Sequence, residues 1–416
     1  MQTFTMSAAG HLEFGAGRIR SLAPMLAARE WTSIVLITGS SFRADSELRT
    51  GLLEMFQSEG ITVRSYRYDR MPAEGEPFNP PPGDLHEASP QVVDAIVRAE
   101  RLGSDPPVRA VVALGGGSTI DTGKAVSAAL TLPHPIADYL EGVGTQVPPG
   151  TKIPFVAIPT TAGTGSEVTK NAVLSSAGAA SFKKSLRHDS YVPDVAIVDP
   201  ELHLSCPRAV TAASGLDAIT QLIEALLSVS ASPLTDALAL DGLQYAGRSF
   251  ARAVERGDTD IDARAGMAYA AYLSGRCLAN AGLGVVHGLA GPAGAHTTVP
   301  HGVFCGLLLL PSITLLTERL KHQRSASRSL AKLAAAAHAL GGMPRQVPSR
   351  VDVDGGVSHL LARLTELDRV AGLPRLSAFG MDAGTVSLVA AEGGSKNSPV
   401  DFDESERLAL LQSVLN

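Results

Sequence analysis

The stretch Ala110-Val-Val-Ala-Leu-Gly-Gly-Gly-Ser-Thr-Ile-Asp-Thr-Gly-Lys124 decides how the first half of this chain is read. Five apolar residues in a row, Ala110 to Leu114, mark a strand buried on both faces, the style of a parallel sheet. The glycines Gly115, Gly116 and Gly117 then turn the chain tightly into a helix. Free N–H groups at such a helix start, approached over bare backbone, suit a phosphate pair. A glycine triplet alone also serves as an ordinary tight turn. Two nucleotide fingerprints are excluded. G-x-x-x-x-G-K-[ST] needs glycine at 118 and a hydroxyl at 125, where Ser118 and Ala125 stand. G-x-G-x-x-G fails because Thr119 and Ile120 lead into Asp121.

The same grammar repeats on both sides of this stretch. Ser33 to Thr38 reads as a buried strand ended by Gly39-Ser40-Ser41, Leu52 to Gly60 as a helix, and Ile61 to Tyr68 as the next strand. Pro90 opens another helix, and Pro154 to Ile158 and Val195 to Val198 are further buried strands. This alternation predicts a mainly parallel sheet covered by helices on both sides. After Asp199-Pro200 the strands stop. Helices are expected over Thr211 to Ser228, Pro233 to Val254, Asp262 to Ala281 and Ala326 to Leu340, two of them ended by Gly282 and Gly341. The boundary falls near Leu204 to Pro207, giving an α/β domain over 1–205 and an all-helical domain over 206–416. Met71 to Ala88, with Pro72, Pro77, Pro80, Pro81 and Pro82, reads as a loop, either an exposed insertion or a lid over a ligand cleft.

Composition narrows the function classes. A length of 416 residues exceeds one ordinary core and predicts two domains. With 45% hydrophobic and 18% charged residues the chain reads as soluble and globular. A net charge of −6 offers no basic field for nucleic acid or an anionic membrane. Cys206, Cys277 and Cys305 form no C-x-x-C pair, which excludes a disulfide framework and zinc ribbons and fits a reducing, cytoplasmic setting. Residues 1–10 carry no secretory pattern, and apolar runs such as Val303 to Pro311 fall short of the roughly 20 residues that span a bilayer.

Two further segments carry chemistry. Ile158-Pro-Thr-Thr-Ala-Gly-Thr-Gly-Ser-Glu-Val168 follows a strand and presents hydroxyls suited to a ribose, diphosphate or amide, although such turns are also common without a ligand. Two such loops at strand C-termini point together to the ligand edge of an open α/β sheet. In the helical half, Ser214-Gly-Leu-Asp-Ala-Ile-Thr-Gln-Leu-Ile-Glu224 sets Asp217, Gln221 and Glu224 at i, i+4 and i+7 on one helix face. His287, His296 and His301 follow in an apolar, glycine-rich context. A carboxylate plus two imidazoles suits a divalent transition metal with an open position for substrate oxygen. A lone buried histidine is more often an ordinary core residue; a pair 14 residues apart with a helix-borne Asp strengthens the metal reading.

Gly115–Lys124, Pro159–Val168, Gly215–Glu224 and His287–Gly302 together resemble the iron-containing (group III) alcohol dehydrogenase family, relatives of glycerol dehydrogenase and maleylacetate reductase. The likeness runs from Phe14-Gly-Ala-Gly17 to Lys396-Asn-Ser-Pro399. It implies an N-terminal Rossmann-like domain, a helical C-terminal domain in the dehydroquinate synthase-like arrangement, and NAD or NADP in the cleft between them. By this resemblance Gly115, Gly116, Gly117 and Ser118 hold the diphosphate, with Asp121 beside them and Gly39, Ser40 and Ser41 toward the adenosine end. Thr160, Thr161, Thr164 and Ser166 line the cofactor toward the nicotinamide, and Lys183 or Lys184 lies near the ribose. The implied metal ligands, for iron or zinc, are Asp217, Gln221, His287 and His301.

Three departures from the family pattern matter. Gln221 stands where the family has a histidine, and a carboxamide is a weaker donor for iron or zinc. Gly291 stands where many members carry a proton-relaying histidine, so His296, Thr297 or water takes that part. No acid follows the first strand, and Arg43 is near, which admits NADP. The implied reaction is reversible hydride transfer between NAD(P)H and a small alcohol or its aldehyde or ketone, catalysed by Asp217, His287, His301 and His296 in a homodimer or larger homo-oligomer. The alternatives are a metal-free keto-acid reductase resembling maleylacetate reductase, a dehydroquinate synthase-like lyase, and a sensor that only binds cofactor.

Overall fold

The computed structural model describes residues 3–39, 47–67, 88–103, 105–176, 181–322, 327–341 and 353–416. Ser40, Ser41 and Arg43, and residues 71–87 of the proline-rich segment, lie outside the described residues. The chain divides into two compact units. One comprises Ala8–Thr161 and Ser166–Ser205; the other comprises Cys206–Asn416 joined by residues 3–7 and Ala162–Gly165. The α/β half is therefore not one continuous stretch.

The first unit holds strands β1 (His11–Phe14), β2 (Ser33–Thr38), β3 (Thr62–Arg67), β4 (Ala110–Gly115), β5 (Phe155–Pro159), β6 (Asn171–Ser176), β7 (Phe182–Arg187) and β8 (Val195–Val198). Six of them form a parallel sheet in the order β1-β8-β5-β4-β2-β3, and β6 pairs with β7 antiparallel. The strands β2, β4, β5 and β8 are buried throughout, as their unbroken apolar runs predict. Alternate residues divide between two cores. Val35, Ile37, Val111, Ala113 and Ala157 face α3 (Pro90–Gly103) and α4 (Gly117–Ala129). Ile34, Leu36, Val112, Leu114, Val156 and Ile158 face α1 (Leu22–Ala28) and α2 (Glu47–Ser58). Two covered faces and parallel strands make a Rossmann-like, doubly wound domain. Sequence reading missed β1, β6 and β7: β1 is four residues long at a sheet edge, and the hairpin strands carry mixed polar residues.

Lys124, fully buried on α4, ties this unit together. Its Nζ donates to the carbonyls of Ser166 (2.9 Å), Thr169 (2.8 Å) and Asn171 (2.8 Å). Burial pulls the ammonium down to about 8, against the opposing influence of Asp121 and Glu167. Lys124→Met would leave three carbonyls without this donor, at about 1–3 kcal/mol for each that stays unsatisfied. We expect a loss of about 3 kcal/mol or more in unfolding free energy, read by urea denaturation. A loss below about 1 kcal/mol would mean water replaces the ammonium readily.

The second unit is all-helical among the described residues: α5 (Arg208–Leu227), α6 (Pro233–Arg256), α7 (Ile261–Ala281), α8 (Val285–His296), α9 (His301–Lys321), α10 (Ser327–Leu340), α11 (Val353–Ala371), α12 (Ala383–Glu392) and α13 (Glu404–Gln412). α5 runs through the core and packs against α6, α7 and α9. Helix starts follow local chemistry: Ser232 and Thr235 form a capping box on α6, and Asp260, Asp382 and Asp403 cap α7, α12 and α13. The helices α5 and α9 are long and apolar enough to cross a membrane, longer than the apolar runs suggested. Their apolar windows are 89% and 67% buried inside the unit, the mark of core helices.

Candidate functional site

Three helices of the second unit bring the sequence-distant ligands together. Asp217 lies mid-way along α5, His287 in the first turn of α8, and His301 opens α9 behind Pro300. Close backbone approach makes this possible. A Cβ on Gly302 would stand 2.7 Å from the Ala213 carbonyl oxygen, so α9 can press its first turn onto α5 only with glycine there. His287 Nε2 then lies 3.2 Å from Asp217 Oδ1, and His301 Nε2 lies 3.6 Å from the same oxygen. The two imidazole rings are 5.4 Å apart at 64°.

A fourth donor joins them. Cys305, one helical turn beyond His301, places Sγ 3.6 Å from His287 Nε2 and 3.7 Å from His301 Nε2. Donor atoms of Asp217, His287, His301 and Cys305 all lie within 4.8 Å of one another. Burial pushes the Cys305 thiol up to about 12. Burial alone would also raise the Asp217 carboxyl, but His301 and His287 bring it below its usual range. Burial opposes a charge on His287, yet Cys305 and the bonds to Asp217 and Glu224 raise the imidazole well above its usual value. One carboxylate, two imidazoles and a thiol, all buried except the half-buried His301, fit a divalent transition metal.

Supporting partners orient His287 from behind. Its Nδ1 lies 2.7 Å from Glu224 Oε2, while Glu224 Oε1 accepts from the Val286 amide at 2.7 Å. This leaves Nε2 facing Asp217, the carboxylate–histidine relay that fixes the ring nitrogen offered to a metal. Lys396, from the C-terminal Lys396-Asn-Ser-Pro399 segment, donates to the His287 carbonyl at 2.6 Å. Glu224 was visible on the Asp217 face of the sequence, but its partner was not.

Two expected catalytic or ligand residues are placed differently. The Gln221 amide oxygen accepts from Ser274 Oγ at 2.9 Å, and its Nε2 faces the Thr164 carbonyl at 3.4 Å and Asp217 Oδ2 at 3.5 Å. The amide oxygen thus faces Ser274, whose single hydroxyl proton it shares with the Ala271 carbonyl at 2.8 Å, and the donor side points at the carboxylate. His296, at the far end of α8, stands outside the four-donor cluster and pairs with Glu392 at 2.9 Å.

In the first unit, Gly39, Gly115, Gly116, Thr160 and Thr161 gather at the C-terminal ends of β2, β4 and β5. The Gly39 amide donates to the Leu114 carbonyl (3.1 Å), and the Thr160 amide to the Gly115 carbonyl (2.9 Å). A Cβ on Gly115 would stand 2.5 Å from Thr119 Oγ1, so the turn from β4 into α4 tolerates no side chain there. Between β2 and β4 the strand order reverses: β2 connects outward to β3, and β4 inward to β5. Ligands favour that point in open α/β sheets. Gly117 and Ser118 open α4, whose N-cap Gly116 supplies no side-chain cap, so its first amides suit an anion. Asp121 lies deeper, where its Oδ2 accepts from the Val173 amide at 3.0 Å; its helix face packs on β6, not on the crevice. Lys183 stands opposite Ser175 in the hairpin. Thr164 belongs to the helical unit, and the Ser166 carbonyl is held by Lys124.

Comparisons with known proteins agree with this architecture. The family description "Iron-containing alcohol dehydrogenase" matches residues 9–200, and that of its C-terminal part matches residues 211–414. Alcohol dehydrogenase 4 of Saccharomyces cerevisiae is 33% identical over 300 residues, 72% of this chain and 72% of that protein. The NAD-dependent methanol dehydrogenase of Bacillus methanolicus is 39% identical over 218 residues, 51% of this chain and 56% of that one. The chain spans about half the length of the first curated relatives it matches. The crystal structure of a 1,3-propanediol oxidoreductase superposes with a TM-score of 0.81 at 26% identity, covering 100% of both chains. With two family descriptions matched in order and a relative aligned over most of its length, the chain belongs to the iron-containing alcohol dehydrogenase family.

Proposed function

We propose that this protein catalyses reversible hydride transfer between a nicotinamide dinucleotide and a small alcohol or its aldehyde, at a site that uses a divalent metal ion. The observation that carries this reading is the convergence of Asp217, His287 and His301 from three helices onto one point. An ion held there by Asp217, His287 and His301 would supply Lewis acidity toward a substrate oxygen. Asp217 brings negative charge to the ion. Glu224 keeps the Nδ1 of His287 engaged and leaves Nε2 for the site. The apolar packing around α5 lowers the local dielectric and strengthens these electrostatics. The glycine edge of the first unit is the proposed seat of the cofactor diphosphate, with Thr160 and Thr161 beside it.

The finer choices follow from the same residues. NAD is the cofactor named for one relative, and the sequence after Gly39, with no acid at 40 or 41 to repel a 2′-phosphate, admits NADP as well. Iron is the family's ion. A cytoplasmic setting is supported by three free thiols. With Gly291 replacing the relay histidine and His296 spent on Glu392, the proton is proposed to leave through water. The test is NADH and NADPH oxidation against a panel of short and long aldehydes, with metal analysis of the purified protein. Turnover that disappears with a chelator and returns with added metal is expected. Full activity in metal-free protein would select the keto-acid reductase reading, and no turnover with any substrate would overturn both.

A further inference from the structure

We propose that the fourth protein ligand of this metal site is the Cys305 sulfur, with Gln221 outside the coordination sphere, so that the chain holds its ion through an Asp–His–His–Cys set. This rests on the metal-assisted reading above and adds the identity of the donors.

Geometry carries the inference. An ion bound tetrahedrally, with metal–sulfur near 2.3 Å and metal–nitrogen near 2.0–2.1 Å, sets sulfur and nitrogen about 3.6 Å apart. Cys305 Sγ stands 3.6 Å from His287 Nε2 and 3.7 Å from His301 Nε2. The same bond lengths put nitrogen and carboxylate oxygen about 3.4 Å apart. Asp217 Oδ1 lies 3.2 Å and 3.6 Å from the two imidazole nitrogens. Four of the six donor separations thus match one tetrahedral shell, and the other two are within 4.8 Å.

Gln221 is committed elsewhere. Turning its amide over would direct its oxygen at the Thr164 carbonyl and the Asp217 carboxylate, both acceptors. Its present orientation turns the oxygen to the Ser274 hydroxyl and keeps the donor side toward Asp217. Loss of an imidazole from α5 is therefore offset by a thiol from α9, at the i+4 position of His301. A thiolate favours zinc-class, thiophilic divalent ions more than an all-nitrogen-and-oxygen set does.

The experiment uses the 416-residue chain loaded with zinc for X-ray absorption and with cobalt(II) for optical spectra. One metal per chain is expected, with a sulfur scatterer at about 2.3 Å and a thiolate-to-cobalt charge-transfer band in the near ultraviolet. Cys305→Ser should lose both signals. Its zinc affinity should fall by at least the roughly 10–100-fold that losing a supporting partner costs. Gln221→Ala should keep both signals. A metal bound without sulfur in the wild-type protein overturns Cys305 as ligand and leaves the metal-assisted reading standing. Protein that binds no metal overturns both. The wild-type spectrum decides even if the serine variant fails to fold.

Discussion

Replacing His287 with alanine is expected to lower kcat/KM by about 10³-fold, roughly 4 kcal/mol of transition-state stabilisation, with little change in cofactor affinity. Two effects combine. The site loses an imidazole 3.2 Å from Asp217, and Asp217 and Glu224 are left as buried carboxylates without the ring between them. The glycine edge that is proposed to take the cofactor is built from β2, β4 and β5 of the other unit and does not include His287. Steady-state kinetics alongside NADH and NADPH titration, read by fluorescence, separate the two properties. Equal loss of both would defeat the division of labour between units. Glu224→Gln provides the graded comparison: it keeps an oxygen for the Val286 amide but weakens the hold on Nδ1, with about 10–100-fold expected in metal affinity.

Gly302→Val is expected to cost about 100-fold in turnover, although residue 302 supplies no functional group. A Cβ there would meet the Ala213 carbonyl oxygen at 2.7 Å, its carbon at 2.8 Å and the Ser214 nitrogen at 3.1 Å. These are backbone atoms of a core helix and cannot swing aside, so the start of α9 must lift. His301 and Cys305 ride on that turn, and a misplacement of about 1 Å suffices for such a loss. The accompanying overpacking costs about 1–3 kcal/mol in stability. Metal stoichiometry and kinetics measured together test this, with a melting curve as control. Wild-type metal binding and turnover in a folded valine variant would show that α9 reaches its place without the close approach.

The parts of the fold that the sequence made legible are those where burial writes an unbroken apolar run. The strands β2, β4, β5 and β8 fall in this class, and so does the shift to helix after Pro200. The ends of α5, α6, α7 and α10 came within three residues because proline, Asp and glycine punctuate them. What was not legible depends on tertiary packing. α8 contains Gly288, Gly291, Gly294 and Pro292, all poor in helix propensity, and forms because its neighbours leave room for a bare backbone. α9 was read only as a short apolar run. With its helical extent unknown, Cys305 could not be set one turn from His301, and a cysteine weighed for redox setting went unread as a ligand. Asp217, His287 and His301 were legible because their types and order match a family pattern. The displacement of Gln221 was not, because it depends on Ser274, which lies on another helix.

The four residues Ala162–Gly165 carry a consequence for how such proteins can be recombined. Encoded within the α/β half, they are packed into the helical unit, where a Cβ on Gly165 would fall 2.4 Å from the Gly275 Cα and the Gly163 carbonyl lies 3.3 Å from Ser274 Oγ. A chimera joined at the obvious seam near residue 205 would thus graft one parent's loop onto the other parent's α7. A crossover placed before residue 162 instead takes the loop and α7 from one parent, and is expected to give the more stable chimera.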